Sequence, residues 1–203
     1  MNAGLGTLSA LKRRLLPPQS LSQTEWDAEI LSIGTGVARW FEAQCDRKFS
    51  RVVDDLYLCR GDRMHVTLPR YPVEAVTLVE QLYPIGTQWT PCPAPSLLYP
   101  QSGLLEFLVP AAPLGSQLRV TFTGGYWFDT SDDHSGLLPT GATPLPEDLS
   151  RAWLDQSAFL FENRSRLGMK KYIERGSAFY LENDALVPGV VSILNGYRRY
   201  FPI

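Results

Sequence analysis

The spacing of apolar residues changes twice along this chain, and this change restricts the possible folds more than any other feature. Apolar residues recur every three or four positions over residues 26–45, which predicts an amphipathic helix. They alternate with polar residues over 64–68 and again over 118–123, which predicts half-buried strands. Helical spacing returns after Pro146. The order helices, strands, helices predicts an α+β protein.

Two helices are predicted before residue 50. Leucines recur at helical spacing over residues 8–15, and the two prolines that follow end this segment. Ser22 and Glu25 fit a capping box that would begin the longer second helix. Gly34 and Gly36 lie inside that helix, where each glycine costs about 1 kcal/mol relative to alanine. We therefore expect a bend or a close helix crossing at this pair.

The middle of the chain predicts a β structure. Eleven of the 16 prolines lie between residues 51 and 145, and the segments between them are rich in β-branched and aromatic residues. The candidate strands are residues 52–58, 64–68, 73–82, 104–109 and 118–123. The proline cluster at 91, 93 and 95 predicts an extended surface loop, and residues 127–144 predict a long loop. Five or six short strands favour a small antiparallel barrel or sandwich.

The last part of the chain predicts two more helices. The first begins at Pro146, with carboxylates at Glu147 and Asp148 in its first turn, and continues to about residue 167. The second begins at Pro188 and ends near residue 200, whereas 168–187 have no clear pattern. We expect residues 1–50 and 146–203 to form one helical bundle, with 51–145 inserted as a β module.

Charge and composition exclude several classes of protein. The net charge is −2, and the middle segment is acidic at −4 while each flank is +1. A protein that grips nucleic acid through its phosphates needs a strong basic excess. The three cysteines lack metal-site spacing, so we expect reduced thiols. No apolar run reaches about 18 residues and no signal peptide is recognised, so we expect no membrane association and a location in a cytoplasm at first.

The chemistry of an enzyme has little support in the sequence. Only two histidines are present, and His65 lies on the polar side of a predicted strand, where a solvated imidazole is expected. The Gly34-x-Gly36 pair falls inside a helix and is not a dinucleotide fingerprint. Asp132, Asp133 and His134 resemble a cation-binding loop, but a fourth ligand is missing. We predict no enzymatic activity, no cofactor and no metal site.

Aromatic residues are the main candidates for intermolecular contacts. Large aromatic side chains serve both as core residues and as interface anchors, and the sequence leaves both roles open for Trp26, Trp40, Trp127 and Trp153. The segment 197–203 combines aromatic, arginine and aliphatic residues, which are enriched in interfaces. It either contacts a partner or folds back on its own core.

Four segments, in this order, resemble the head-tail connector proteins (adaptor or head-completion proteins) of tailed double-stranded DNA bacteriophages. They are the helix and its Arg/Lys-Phe exit at 26–49, LPRYPV at 68–73, VTFTGGY at 120–126 and LPEDL at 145–149. The ending LNGYRR at 194–199 is also similar to the family. The loop 127–144 is longer than that of the family, and 91–100 is unusually rich in proline.

The resemblance implies a virion structural protein at the head-tail interface, assembled in the host cytoplasm. It implies a homo-oligomeric ring, commonly of twelve subunits, between the portal and a neck, stopper or tail-completion protein, with double-stranded DNA passing through the centre and no catalysis. On this basis we expect portal contacts from Tyr197, Arg198, Arg199, Tyr200, Phe201 and Ile203. Contacts to a neighbouring subunit or tail-side partner are expected from Trp89, Tyr99, Trp127 and Phe128.

Two alternatives remain open from the sequence. A small β barrel with exposed aromatic residues is also typical of oligonucleotide-binding modules, although the acidic middle segment disfavours this function. A small hydrolase using the loop 132–134 is the third possibility.

Overall fold

The α+β class predicted from the sequence is confirmed. The computed structural model describes residues 2–92, 96–131, 135–164, 171–174, 177–180 and 186–199, and for 171–174 and 177–180 it describes the backbone alone. The helices are α1 (Leu8–Leu15), α2 (Asp27–Cys45), α3 (Glu147–Glu162) and α4 (Pro188–Tyr197). The strands are β1 (Val52–Arg60), β2 (His65–Thr67), β3 (Val73–Leu82), β4 (Thr90–Pro91), β5 (Ser96–Tyr99), β6 (Leu104–Phe107), β7 (Gln117–Gly124), β8 (Tyr126–Trp127), β9 (Thr143–Pro144), β10 (Lys171–Glu174) and β11 (Ser177–Tyr180). Along the chain, α1 and α2 thus precede and α3 and α4 follow an inserted set of mainly antiparallel strands.

The chain forms two compact units. The helical unit contains residues up to Cys45, the segment 129–137 and residues 145–198. The β unit contains residues 46–128 and 138–144, and it includes Arg199.

The start of α2 differs from the prediction. The helix begins at Asp27, and the preceding residues form turns, so the Ser22 capping box does not start it. The ammonium group of Lys12 donates to the carbonyl of Gln23 (2.5 Å) and pairs with Asp27 (2.7 Å). These contacts from α1 stabilise the turns that precede α2. The helix therefore begins later than the Ser22 capping box indicates.

The close helix crossing predicted at the glycine pair is confirmed at Gly34. The side chains of Leu11 and Trp153 both approach this residue, whereas the space around Gly36 is open. Leu11 belongs to α1 and Trp153 to α3, and both are fully buried. The core of the helical unit is therefore centred on the contact of α1, α2 and α3.

Two antiparallel sheets form the β unit. One has the strand order β1-β7-β3-β4 and the other the order β2-β6-β5. Val66 and Leu105 of the three-stranded sheet share one buried cluster with Val120 and Phe122 of the four-stranded sheet. Because one face of each sheet contributes to the same core, the arrangement is a sandwich.

Several predicted loops contain short strands. Pro91 of the proline cluster lies in β4 and pairs with Glu80 of β3, and residues 93–95 lie outside the described residues. Within 127–144, β8 and β9 form a short parallel pair. The ambiguous segment 168–187 includes the hairpin β10–β11. The two C-terminal helices end earlier than predicted, at Glu162 and at Tyr197.

Candidate interaction surfaces

The outer face of the four-stranded sheet carries exposed leucines. Register places Leu56 of β1 and Leu78 of β3 on either side of Thr121 in β7, so these residues form one row across three strands. Leu56 is 61% exposed and Leu78 is 44% exposed. The residues that follow them, Tyr57 and Val79, pack against the core instead, as the two-residue repeat of a strand requires. We call Leu56, Thr121 and Leu78 the leucine row.

The next row on this face combines an apolar residue with an ion pair. Leu58, Arg119 and Glu80 are aligned by the same register. Arg119 pairs with Glu80 at 2.6 Å, and its guanidinium lies 4.6 Å from the centre of the Trp89 ring. The cation–π contact and the ion pair therefore fix Trp89 on the outer face of this sheet.

Strand β1 is an edge of the four-stranded sheet. Among the described strands it pairs with β7 alone. Its first half contains an irregularity between Val52 and Asp55, where Asp54 adopts a positive φ of 52°. Residues beyond this irregularity keep a regular register with β7. A regular edge beside exposed leucines is a surface suited to a further protein contact.

The outer face of the three-stranded sheet is more polar. Glu106 of β6 accepts a hydrogen bond from the hydroxyl of Tyr99 (3.0 Å), and its other carboxylate oxygen lies 3.4 Å from Nε2 of His65. The hydrogen bond and the charge of Glu106 raise the pKa of the Tyr99 hydroxyl. His65 is exposed, which confirms the prediction of a surface imidazole.

The four aromatic residues predicted to contact neighbours are not brought together. Trp89 lies on the outer face of one sheet and Tyr99 on that of the other. Trp127 and Phe128 are half-buried at β8, where Trp127 pairs through its backbone with Pro144. The predicted set is therefore distributed over three surfaces.

The described part of the C-terminal segment makes specific contacts. The hydroxyl of Tyr197 donates to Asp148 (2.7 Å) at the beginning of α3. Arg198 is exposed, whereas Arg199 donates to the carbonyl of Thr67 and lies 3.8 Å from Asp46. Tyr200, Phe201 and Ile203 lie outside the described residues.

Arg199 also lines a groove that the sequence did not predict. The groove has a volume of about 250 Å³. We call it the β1–β2 groove, because it is lined by residues of β1, of β2 and of the turn that joins them: Tyr57, Leu58, Cys59, Arg60, Arg63, His65, Val66 and Thr67. Burial raises the pKa of the Cys59 thiol to about 11, and the charge of Arg63 opposes this shift.

A buried arginine organises the segments that resemble the connector family. The guanidinium of Arg47 lies 3.4 Å from the ring centre of Tyr71, 5.1 Å from that of Phe49 and 5.4 Å from that of Tyr126. It also donates to the carbonyl of Tyr71. Residues from 26–49, 68–73 and 120–126 therefore meet in one aromatic cluster, a contact that no single segment indicates.

Within the described ranges, His, Cys, Asp and Glu side chains do not gather in groups of three or more that could hold an ion. Asp132, Asp133 and His134 lie outside these ranges. Among the described helices, none has the length and apolar character required to cross a bilayer.

Comparison with known proteins gave structural neighbours only. No family model matches the sequence, and no curated protein matches it. A chain in the neck of an empty gene transfer agent (GTA) particle computed with C6 symmetry aligns with a TM-score of 0.61 and 20% identity, covering 97% of this chain and 90% of that chain.

Two further structures gave similar results. A chain in the virion of the native GTA particle aligns with a TM-score of 0.58 and 20% identity, with the same coverage of both chains. A chain in the native GTA neck computed with C12 symmetry gives a TM-score of 0.53 and 21% identity over 89% of this chain and 87% of that chain. At this identity the likeness establishes a shared fold.

Proposed function

We propose that this chain is a structural subunit of the neck of a tailed, phage-like particle. In this role, copies of the chain form a ring between the portal and the next neck or tail component. The observation that carries the proposal is the fold shared with chains of gene transfer agent necks over nearly the whole length. This likeness agrees with the ordered resemblance of four sequence segments to head-tail connector proteins.

The surfaces of the β unit support assembly with further copies. A cyclic ring needs two different patches on each subunit, because every copy contacts one neighbour with each patch. The leucine row and the edge of β1 supply one apolar candidate. The polar face around Tyr99 and Glu106 is a separate candidate with different chemistry.

The charge of the chain supports a conduit for DNA. Each phosphate that a protein neutralises adds salt-dependent affinity, which would slow the passage of DNA through a ring. A net charge of −2 avoids this affinity. We propose that double-stranded DNA passes through the ring without sequence-specific binding, and that the ring carries out no catalytic step.

The C-terminal segment is the proposed contact with the portal. Arg198 is exposed, and the segment 197–203 is rich in the aromatic and arginine side chains typical of interface anchors. Trp89, Tyr99, Trp127 and Phe128 lie on different surfaces, so they are proposed to contact different neighbours, either subunits or the tail-side partner.

Electron microscopy of the purified chain, alone and mixed with its portal, tests the proposal directly. We expect rings of the chain seated on portal particles. Particles that carry isolated copies, or none, at saturating chain concentration would contradict the ring.

Deletion of residues 197–203 tests the portal contact. The truncated chain should fold but fail to join portal-bearing heads. The control is Tyr197→Phe, which removes the hydroxyl bonded to Asp148 and keeps the aromatic ring. Normal completion of heads by the truncated chain would show that another surface docks on the portal.

A further inference from the structure

The backbone of β1 presents pairing groups at the edge of the four-stranded sheet. In an antiparallel pair, residues alternate between those whose N–H and C=O groups both face the partner strand and those whose groups both face away. Gly61 continues the register of β1 and donates to the carbonyl of Ser116, so the odd-numbered residues beyond the irregularity face β7. The even-numbered residues face away from β7: Leu56, Leu58 and Arg60. In agreement, the N–H of Leu56 donates to the carboxylate of Asp55 (3.1 Å).

This outward-facing edge has defined ends. Before it, the irregularity at Asp54 interrupts regular pairing. After it, the chain turns at Gly61 and Asp62. The opposite edge of the same sheet is blunt, because β4 has two residues and one of them is Pro91, which has no N–H to donate. Residues 56–60 therefore pair better with a second β1 than with β4 of another copy.

We propose that two copies of the isolated chain join through this edge and form a two-fold dimer. In the dimer the two β1 strands are antiparallel, and Leu56 of each copy lies opposite Leu58 of the other. Each of these two pairs exchanges two backbone hydrogen bonds. The two four-stranded sheets thereby become one continuous sheet. The dimer forms before any ring, so it does not depend on the neck function.

The charges at the two ends of the edge select the direction and the register. Asp54 precedes the leucines of β1 and Arg60 follows them, and both are exposed. A parallel pair in register places like charges side by side, which is unfavourable. An antiparallel pair with Leu58 opposite itself places Asp54 opposite Asp62, which is also unfavourable. The register with Leu56 opposite Leu58 instead places Asp54 of each copy opposite Arg60 of the other.

The same register buries exposed apolar surface. Leu56 is 61% exposed and Leu58 is 60% exposed, and both lie on the outer face of the sheet. In the dimer the two leucines of one copy lie beside the two leucines of the other. Side chains directly opposite each other on one face have Cβ atoms about 4.5–5.5 Å apart, which is close enough for contact. Backbone pairing and apolar burial therefore stabilise the same arrangement.

The two-fold symmetry limits the assembly to two copies. A two-fold contact uses the same surface on both subunits, so no β1 edge is left to add a third. The unpaired edge and its leucines are thereby covered in both copies, which removes a site of uncontrolled association.

Disulfide formation at position 57 tests the dimer and its register. In the proposed register Tyr57 lies opposite itself, in a pair without backbone hydrogen bonds. The Cα atoms of such a pair are about 4.5 Å apart, which a disulfide can bridge. We compare the variants Tyr57→Cys and Ile85→Cys, each combined with Cys59→Ser, by mild oxidation and non-reducing electrophoresis. Ile85 is the control, because it is 98% exposed and lies in the turn between β3 and β4.

The Tyr57→Cys variant should form a linked dimer at least tenfold faster than the Ile85→Cys variant. Equal rates would overturn the proposal, because random collisions would then explain both links. Leu58→Cys in the same background represents the register in which Leu58 lies opposite itself. Faster linking of this variant than of Tyr57→Cys would overturn the proposed register.

A second test leaves the side chains that face the core unchanged. Leu58→Pro removes an N–H that faces away from β7, and proline is tolerated at such a position of an edge strand. Leu58→Ala is the matched control, because it shortens the same side chain and keeps this N–H. Sedimentation equilibrium measures dimer formation, and circular dichroism verifies that each variant is folded.

The unmodified chain should show an equilibrium of monomer and dimer in the micromolar range. Leu58→Pro should weaken the dimer at least tenfold, and Leu58→Ala should weaken it less. A monomeric unmodified chain, or equal weakening by the two folded variants, would overturn the proposal. Species larger than dimers would also overturn it, because they require a contact that does not close. Both tests use the isolated chain, so their failure leaves the neck function untouched.

Discussion

The indole Nε1 of Trp153 donates a hydrogen bond of 2.9 Å to the backbone carbonyl of Gly34. The two residues lie 119 positions apart and are both buried. A Cβ added at Gly34 would lie 2.5 Å from the Leu11 side chain, 2.9 Å from the Ala3 carbonyl and 3.2 Å from the Trp153 ring. The missing side chain thus lets α1, α3 and the N-terminal segment meet α2 at one point.

Replacement of Gly34 by alanine should destabilise the helical unit by about 1–3 kcal/mol, because the new methyl group overlaps buried neighbours. Gly36→Ala is the matched control, since its Cβ meets nothing within 4 Å. The control should stabilise the protein by about 0.5–1 kcal/mol through helix propensity alone. Urea unfolding of both variants, followed by tryptophan fluorescence, measures the two effects. Equal changes of the same sign in the unfolding free energy of both variants would show that packing around Gly34 does not determine the stability of the helical unit.

The glycine pair shows which part of the fold the sequence predicts and which part it leaves open. The pattern predicted a bend or a close crossing in α2, but it could not indicate which glycine faces the neighbours. That choice depends on Trp153, which lies on another helix. Long periodic segments were predicted well, and residues 73–82 form a strand with the predicted bounds. Short strands such as β4 were missed, because their existence depends on pairing with a distant segment.

The interaction surfaces were less predictable than the fold. Leu56 and Leu78 lie in strands that the sequence predicts, but their exposure and their alignment in one row depend on the register of both strands with β7. Trp89 was selected as an aromatic residue, whereas its attachment to Arg119 is a tertiary contact. Contacts of this kind are decided by packing across strands and leave no local signal.

Charged substitutions in the leucine row should weaken assembly without unfolding the subunit. Leu56→Asp and Leu78→Asp replace exposed side chains, so each should change stability by less than about 0.5 kcal/mol. Burial of a leucine at an interface contributes roughly 1.5–3 kcal/mol, so each variant should form rings on portals with about tenfold weaker apparent affinity or worse. Titration followed by electron microscopy measures this loss.

Ile85→Asp is the control for the leucine row. Ile85 is 98% exposed and lies in the turn between β3 and β4, away from the row. The Ile85→Asp variant should assemble like the unmodified chain. Normal assembly of both leucine variants would place the contact between subunits on another surface.

Replacement of Arg47 by lysine should destabilise the β unit although the charge is conserved. Arg47 is buried, and its flat guanidinium lies against Tyr71 within the aromatic cluster. Lysine cannot reproduce this stacking, and we expect a loss of about 1–3 kcal/mol. Arg60→Lys is the control, because that side chain is 66% exposed and pairs with Asp62 on the surface. Urea unfolding followed by near-ultraviolet circular dichroism should distinguish the two variants.

Single-stranded DNA should bind weakly at low salt. The segment 51–145 has a net charge of −4, which disfavours binding of a phosphate backbone. Fluorescence anisotropy with a labelled oligonucleotide should therefore give no saturation in the micromolar range. Micromolar binding would favour an oligonucleotide-binding function over a role in a neck.

The stability of the β unit should depend on alkaline pH through Cys59. Burial raises the pKa of this thiol from 9.0 to about 11, so the folded chain retains the proton between these values while the unfolded chain releases it. Stability contributed by the neutral thiol is therefore complete below pH 9 and declines as the pH rises toward 11. The difference in unfolding free energy between the unmodified chain and Cys59→Ala isolates this effect, since other groups titrate equally in both. This difference should decrease between pH 9 and 11; a constant difference would mean that the thiol has its ordinary pKa in the folded chain.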